Sequence, residues 1–135
     1  MIAFVDTSAF YAVLDRDDRN YRAAAAVWQT LLEGGATLVT HSYVLVETCA
    51  LIQNRLGIDA LRNFEQDIVP LLTIEWITKT QHESGIAAVL AAGRKKLSLV
   101  DCVSFAVMRE AGIQARIQNA FAFDRHFAEQ GFECL

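Results

Sequence analysis

Four acidic residues in unusually apolar surroundings are the clearest chemical signal in this sequence. Asp6 and Asp124 each come directly after a short apolar run. Glu47 and Asp101 instead interrupt nearly continuous apolar stretches. An unpaired carboxylate is rarely buried, because removing its charge from water is unfavourable. We therefore expect each of these side chains to meet a bound cation or another specific partner.

A shared metal site would account for all of these positions. Ligands of parallel α/β sheets bind outside the carboxyl ends of the strands, where Asp6 and Asp124 would project. Glu47 lies about one turn into its predicted helix and Asp101 lies in the first turn of another, so both can face the same edge. Converging carboxylates repel each other unless a hard divalent cation neutralises them, and no His/Cys set in the sequence has zinc spacing. The acids therefore predict Mg²⁺ or Mn²⁺, which could activate water for phosphodiester hydrolysis.

Each acid also has a purely structural interpretation. Asp6 and Asp124 could each cap the helix that follows. Asp101 could form a capping box with Ser98, and that role is compatible with a place in the site. Glu47 could form a buried ion pair with an arginine. The combination of the acids at the junctions of one sheet edge favours the shared site.

The elements that must position these acids alternate between short apolar runs and helical patterns, which predicts an α/β fold with a parallel sheet. Asn20, Ser42 and Asp59 are the expected N-caps of the second, third and fourth helices. The predicted strands are Ile2–Val5, Ala36–Thr40, Leu71–Ile77, Arg116–Phe123 and Phe132–Leu135, and the predicted helices are Ser8–Leu14, Tyr21–Glu33, Tyr43–Arg55, Asp59 to Ile68, Thr78 or Thr80 to Ala92, Ser98–Ala111 (ended by Gly112) and Arg125–Gln130.

The composition predicts one compact domain over residues 1–135. Hydrophobic residues make up 53% of the chain, and one proline and seven glycines leave little room for linkers. The net charge of −4 argues against a broad basic face for duplex DNA. Cys49, Cys102 and Cys134 form no CxxC pair, which predicts reduced, mostly buried thiols. With no secretory leader and no run long enough to span a bilayer, we expect a soluble, cytoplasmic protein.

Four stretches of the sequence resemble the PIN domain, and more narrowly the VapC-type ribonuclease toxins. They are Val5-Asp6-Thr7-Ser8, Glu47 in the helix after the second strand, Leu99-Val100-Asp101-Cys102, and Phe123-Asp124-Arg125-His126-Phe127. The resemblance covers essentially the whole chain. It implies a three-layer α/β sandwich with a central, mainly parallel sheet and metal-dependent cleavage of RNA. It also implies a homodimer and a VapB-like antitoxin as partner.

Carried over by position, the resemblance makes Asp6, Glu47, Asp101 and Asp124 the acids of a Mg²⁺ or Mn²⁺ site. Ser8 matches the hydroxyl of the motif after Asp6. Many relatives carry Thr or Ser two residues before the last acid, where this chain has Ala122. The departure argues against a second hydroxyl at the site and leaves the acid set intact.

Basic residues near the last two acids are candidates for contacts with RNA phosphates. They are Arg94, Lys95, Lys96, Arg125 and His126. Taken singly, they also fit a solvated loop and a helix start. His126 is interpreted as a packing or RNA-facing residue rather than a catalytic base, since the metal would supply the hydroxide.

Several apolar residues could belong either to the hydrophobic core or to a binding surface. The aromatic residues are interpreted as core rather than as base-stacking platforms: Tyr11, Trp28, Phe64, Trp76 and Phe105. The apolar faces of Tyr43–Arg55 and Ile58–Ile68 could form a groove for an antitoxin helix. The candidate groove residues are Leu45, Leu51, Leu61 and Phe64, which could instead belong to the core.

Two other function classes fit parts of the sequence less well. A non-cleaving PIN module that binds an antitoxin or RNA could use the acids as a socket for an arginine, although such a module has no need of converging carboxylates. Phosphoryl transfer through a phosphorylated Asp6 is disfavoured, because Asp6-Thr7-Ser8 lacks the second aspartate of the hydrolase DxD pattern. No phosphate-binding GxxxxGK[ST] loop is present in the sequence either.

Overall fold

A parallel β-sheet forms the centre of the molecule, which is represented by a computed structural model that describes residues 1–110 and 116–135. The strands are β1 (Ile2–Val5), β2 (Thr37–His41), β3 (Leu72–Glu75), β4 (Asn119–Phe121) and β5 (Glu133–Cys134). Their order across the sheet is β3-β2-β1-β4-β5, and every pairing is parallel. The predicted α/β fold around a parallel sheet is confirmed.

The helices account for most of the remaining chain. They are α1 (Thr7–Leu14), α2 (Tyr21–Glu33), α3 (Ser42–Leu56), α4 (Ile58–Asn63), α5 (Lys79–Ala92), α6 (Leu99–Glu110) and α7 (His126–Glu129). The predicted end of the sixth helix at Ala111 and Gly112 lies outside the described residues. Within the described part of the chain, no helix is both long enough and apolar enough to cross a bilayer.

The order of the strands determines where a ligand-binding crevice can lie at the edge of the sheet. β1 runs through the middle of the sheet, where Ala3, Phe4 and Val5 are completely buried. The chain adds β2 and β3 on one side of β1 and then returns to add β4 and β5 on the other. The order therefore reverses between β1 and β4, and this switch point is where α/β sheets open a crevice for ligands. Asp6 and Asp124 follow the two strands that border it.

The fourth predicted helix is not continuous, and its capping was predicted wrongly. The N-cap is Gly57 rather than Asp59, which lies in the first turn of α4. A π-helical turn over Phe64–Ile68 and a 3₁₀ turn over Val69–Leu71 follow α4. Pro70, which has no N–H to donate, lies in the second of these turns and ends the helical hydrogen bonding. The π-helical turn leaves both Phe64 and Ile68 buried in the core.

The start of α3 also differs from the prediction. His41, not Ser42, is the N-cap, and its Nδ1 accepts hydrogen bonds from the N–H groups of Tyr43 (3.2 Å) and Val44 (3.3 Å). The Ser42 hydroxyl instead accepts the N–H of Ile77 at 2.9 Å. Serine is the usual capping residue and histidine is not, so sequence preference pointed to the wrong side chain.

The same histidine ties α3 to α6. The Ser104 hydroxyl donates to the Val100 carbonyl at 2.8 Å, so it accepts the Nε2–H of His41, also at 2.8 Å. Burial lowers the pKa of His41 to about 4, and the imidazole is therefore neutral at physiological pH. His41 therefore attaches the start of α3 to Ser104 on α6, about one helical turn after Asp101.

Several smaller expectations about packing are corrected. Trp76 is not a core residue: it is 70% exposed, because β3 lies at the sheet edge and ends at Glu75. Of the three free cysteines only Cys102 is buried, whereas Cys49 is half-buried and Cys134 is exposed on the last strand.

The proposed antitoxin groove loses two of its residues to the core. Leu45 is 9% exposed and Phe64 is completely buried, so neither can line an open groove. Leu61 is half-buried and packs against the same core, and Leu51 is half-buried. These faces are buried because α3 packs against both α4 and α1.

Candidate metal centre

Asp6 both caps α1 and lies at the switch point, so its two interpretations hold together. It is 5% exposed and accepts hydrogen bonds from the N–H (3.2 Å) and the hydroxyl (2.7 Å) of Ser8. The Ser8 hydroxyl oxygen in turn accepts the N–H of Phe123 at 3.0 Å. Ser8 therefore links the carboxylate after β1 to the residue that precedes Asp124.

Asp101 is likewise a cap and a buried acid. Its carboxylate accepts the N–H of Ser98, and the Ser98 hydroxyl accepts the N–H of Asp101, both at 3.1 Å. This is the reciprocal pattern of a capping box, and it leaves Asp101 only 7% exposed. Because the backbone bonds orient the side chain, the carboxylate is held near the site before any ligand arrives.

Asp124 brings a histidine into the cluster. The Asp124 carboxylate accepts the backbone N–H of His126 at 2.9 Å, and the same oxygen lies 2.8 Å from His126 Nδ1. That nitrogen is 3.6 Å from Asp101 Oδ2. One metal-ligating atom from each of Asp101, Asp124 and His126 can be chosen so that the three atoms lie within 4.8 Å of one another. We call these three residues, together with the neighbouring Asp6, the cluster. His126 is 6% exposed and lies inside the cluster, not on its rim.

Burial and mutual repulsion raise the pKa values of the buried acids. Burial raises the pKa of Asp6 to about 6, the bonds from Ser8 oppose that rise, and the negative charges of Asp101 and Asp124 add to it. Burial also raises the pKa of Asp101, with a further increase from Asp124 and a decrease from His126. A bound divalent cation would relieve the repulsion among these groups.

Glu47 is not brought into this group. Its side chain is exposed on α3, which rules out the alternative of a buried ion pair with an arginine. The next residue, Thr48, is fully buried and donates a hydrogen bond to the Thr7 hydroxyl at 3.3 Å. α3 therefore passes the start of α1 beside Asp6, while the Glu47 carboxylate points outward.

The remaining RNA-contact candidates are exposed. Arg94 and Arg125 both pair with Glu129 on α7, at 3.4 Å and 3.7 Å. Lys95 and Lys96 are exposed in the loop before α6. Pairing with one carboxylate keeps both guanidinium groups next to the helix that follows Asp124.

The donor set fits a divalent cation. Carboxylate oxygens suit Mg²⁺ and Mn²⁺, and imidazole suits first-row transition metals. Among the described residues neither ring nitrogen of His126 has a hydrogen-bond partner, although both are buried. Sequence reasoning identified the acids but placed His126 outside the ligand set. The signal that could have included it is the Asp-x-His spacing, which lets the aspartate accept the histidine N–H and turns the ring back toward it.

Comparison with known proteins defines the class. The chain matches the PIN domain family over residues 3–133, and it therefore belongs to that family. Among its relatives are the proteins named 23S rRNA-specific endonuclease VapC20 from two strains of Mycobacterium tuberculosis, CDC 1551 / Oshkosh and ATCC 25618 / H37Rv. Each is 32% identical over 130 residues, covering 96% of this chain and 94% of the relative.

A solved structure agrees with these matches. The crystal structure of Mycobacterium tuberculosis VapC20, named as a toxin that cleaves the sarcin–ricin loop, superposes with a TM-score of 0.84. It is 30% identical, and the match covers 98% of each chain. The predicted resemblance to the PIN domain and to VapC-type ribonuclease toxins is confirmed.

Proposed function

We propose that this chain is a divalent-metal-dependent endoribonuclease and the toxin of a type II toxin–antitoxin pair. The observation that supports the proposal is the grouping of Asp101, Asp124 and His126, whose ligand atoms lie within 4.8 Å of one another. Asp6, whose pKa is raised in part by the charges of Asp101 and Asp124, lies beside this group at the switch point of the sheet. These acids come from three separate parts of the chain, and two of them are almost completely buried. The named activity of the VapC20 relatives supports the same reaction class.

The residues of the cluster have distinct proposed roles. Asp6 and Asp101 are direct ligands of Mg²⁺ or Mn²⁺, because both are buried and already oriented by Ser8 and Ser98. Asp124 completes the set from the far side of the switch point. When bound, the cation supplies Lewis acidity, which lowers the pKa of a water molecule and stabilises charge on the phosphate.

Glu47 is proposed as an outer member of the site. Its exposed carboxylate, beside the Thr48–Thr7 contact, could hold a water molecule rather than the ion itself. We expect it to contribute less than the buried acids.

The proposed substrate is RNA, and the sarcin–ricin loop of 23S rRNA is the first target to test, given the relatives. Four exposed cations near Asp101 and Asp124 would contact backbone phosphates: Arg94, Lys95, Lys96 and Arg125. A VapB-like antitoxin, a homodimer and a cytoplasmic location complete the proposal.

One experiment tests the activity. The purified chain is incubated with total RNA and with an isolated sarcin–ricin hairpin, in Mg²⁺, in Mn²⁺ and in EDTA, and the new ends are mapped. We expect discrete cuts that require metal and disappear in Asp6→Asn. Asp67→Asn is the matched control, because Asp67 is exposed outside the cluster. Cleavage that persists in EDTA or in Asp6→Asn would refute the proposal.

The same preparations separate a nuclease from a non-cleaving module. If Mn²⁺ raises the melting temperature but no RNA is cut, the chain binds metal without turnover. That outcome would favour the binding function and count against the proposed hydrolase.

A further inference from the structure

His126 combines burial, proximity and missing hydrogen bonds in a way that the proposed acid site does not yet explain. His126 is almost completely buried, with only 6% of its surface exposed. Its Nδ1 lies 2.8 Å from Asp124 Oδ1, yet the geometry makes no hydrogen bond with any described residue. The separation of these two atoms is that of an ion pair or of two neighbouring ligands of one cation, and it lacks the alignment of a hydrogen bond.

The distances fit a common coordination sphere. Adjacent ligands of an octahedral cation with bonds of about 2.1 Å lie about 3 Å apart. The separations of His126 Nδ1 from Asp124 Oδ1 (2.8 Å) and from Asp101 Oδ2 (3.6 Å) lie on either side of that value. Because the ligand atoms of all three residues lie within 4.8 Å of one another, rotation of the side chains could bring them onto one ion.

The position of the ring is fixed by its surroundings. The backbone N–H of His126 donates to Asp124, which holds the first turn of α7 against the acid. The next residue, Phe127, is completely buried and stacks with Phe4 (6.0 Å between ring centroids) and edge-on with Phe105 (5.2 Å). Because α7 is anchored in the core, the imidazole is held in the cluster at little further entropic cost.

We infer that Nδ1 of His126 is a ligand of the metal centre, so that the site is a mixed oxygen and nitrogen site that favours Mn²⁺ over Mg²⁺. The inference rests on the proposed metal-dependent function. Oxygen ligands suit both ions, but imidazole is a better ligand for first-row transition metals than for Mg²⁺. The nitrogen thus sets the metal preference, while the carboxylates supply most of the charge.

The direct test is the electron spin-echo spectrum of Mn²⁺ bound to the full-length protein. We expect ¹⁴N modulation from a coordinated imidazole, which changes to the ¹⁵N pattern when only histidine is ¹⁵N-labelled. The modulation should be lost in His126→Asn and kept in His82→Asn, the matched control. His82 lies outside the cluster, where its Nδ1 is 2.6 Å from the Tyr43 hydroxyl.

Calorimetric titrations with Mn²⁺ alone and with Mg²⁺ alone give a second readout. Loss of outer-shell partners weakens metal binding about 10- to 100-fold, so we expect loss of this ligand to weaken Mn²⁺ by about tenfold or more. Mg²⁺ should be weakened much less. Equal weakening of both ions in folded His126→Asn would overturn the inference.

The failure of this inference is distinguishable from failure of the proposed function. If Mn²⁺ binds the wild type and RNA is cleaved without histidine modulation, only the role of His126 is wrong. If no Mn²⁺ binds at all, both proposals fail. Should His126→Asn not fold, the histidine-labelled spectrum of His82→Asn still decides the question, because the other remaining histidine, His41, is occupied at both ring nitrogens by Ser104 and the α3 backbone.

Discussion

Replacing Asp6 with asparagine should stabilise the metal-free protein while abolishing its proposed activity. Burial raises the pKa of Asp6 from 3.8 to about 6, so at pH 8 folding must keep a carboxylate charged in an environment that favours the proton. Asparagine has the same shape, and its Oδ1 can still accept both hydrogen bonds from Ser8. The substitution therefore removes the charge and retains the helix cap.

The size of the effect follows from the pKa difference. A rise of about two units corresponds to about 3 kcal/mol of destabilisation once the acid is ionised in both the folded and unfolded states. Because the folded pKa is the higher one, this destabilisation is complete above about pH 6 and vanishes below the unfolded value of 3.8. At pH 5 the same linkage leaves about half of it. Neutral acceptors bind donors more weakly than charged ones, so the measured gain should be about 1–3 kcal/mol at pH 8.

Urea denaturation in EDTA at pH 8 and pH 5 measures this directly, with Asp67→Asn as a control for loss of an exposed charge. We expect Asp6→Asn to be more stable than the wild type at pH 8 and the difference to shrink at pH 5. A variant less stable than the wild type at pH 8, or a gain independent of pH, would show that charge repulsion and burial do not act on Asp6 as argued.

Three further predictions concern the metal, the acids and the helix packing. Saturating Mn²⁺ at 100 times its Kd should stabilise the wild type by about 2.7 kcal/mol and Asp6→Asn far less, measured as the rise in Tm; equal shifts would place the ion elsewhere. Asp101→Asn should eliminate RNA cleavage, whereas exposed Glu47→Gln should keep measurable activity; equal losses in a gel assay would make Glu47 a direct ligand. Gly85→Ala should lower stability by about 1 kcal/mol or more in thermal denaturation despite the better helix propensity of alanine, because a Cβ would lie 2.6 Å from Val103 Cγ2; a stabilised variant would show that α5 and α6 separate easily.

Local sequence patterns were sufficient for much of the fold. The predicted first strand and second helix have the observed bounds. Of the two predicted starts of the fifth helix, Thr78 is the N-cap of α5, where it forms a capping box with Gln81. The cap formed by Ser98 and Asp101 is equally local. Such features depend on residues a few positions apart, which is why they can be recognised without knowledge of the fold. Strand ends were less accurate, since β3 occupies only four residues of the run Leu71–Ile77 that was predicted for it.

The sequence by itself determined which acids could meet at the sheet edge, because an aspartate after a parallel strand must project there. Only the tertiary structure decided which of them do, since side-chain direction on a helix depends on what the helix packs against. Glu47 turned outward while its neighbour Thr48 took the buried position. The Ser8 hydroxyl accepts a hydrogen bond from the N–H of Phe123, which is 115 residues away in the sequence. His126 lies in the cluster because the packing of Phe127 against Phe4 anchors α7 in the core. Contacts between residues so distant in the chain arise from packing of the whole core, and no local pattern records them.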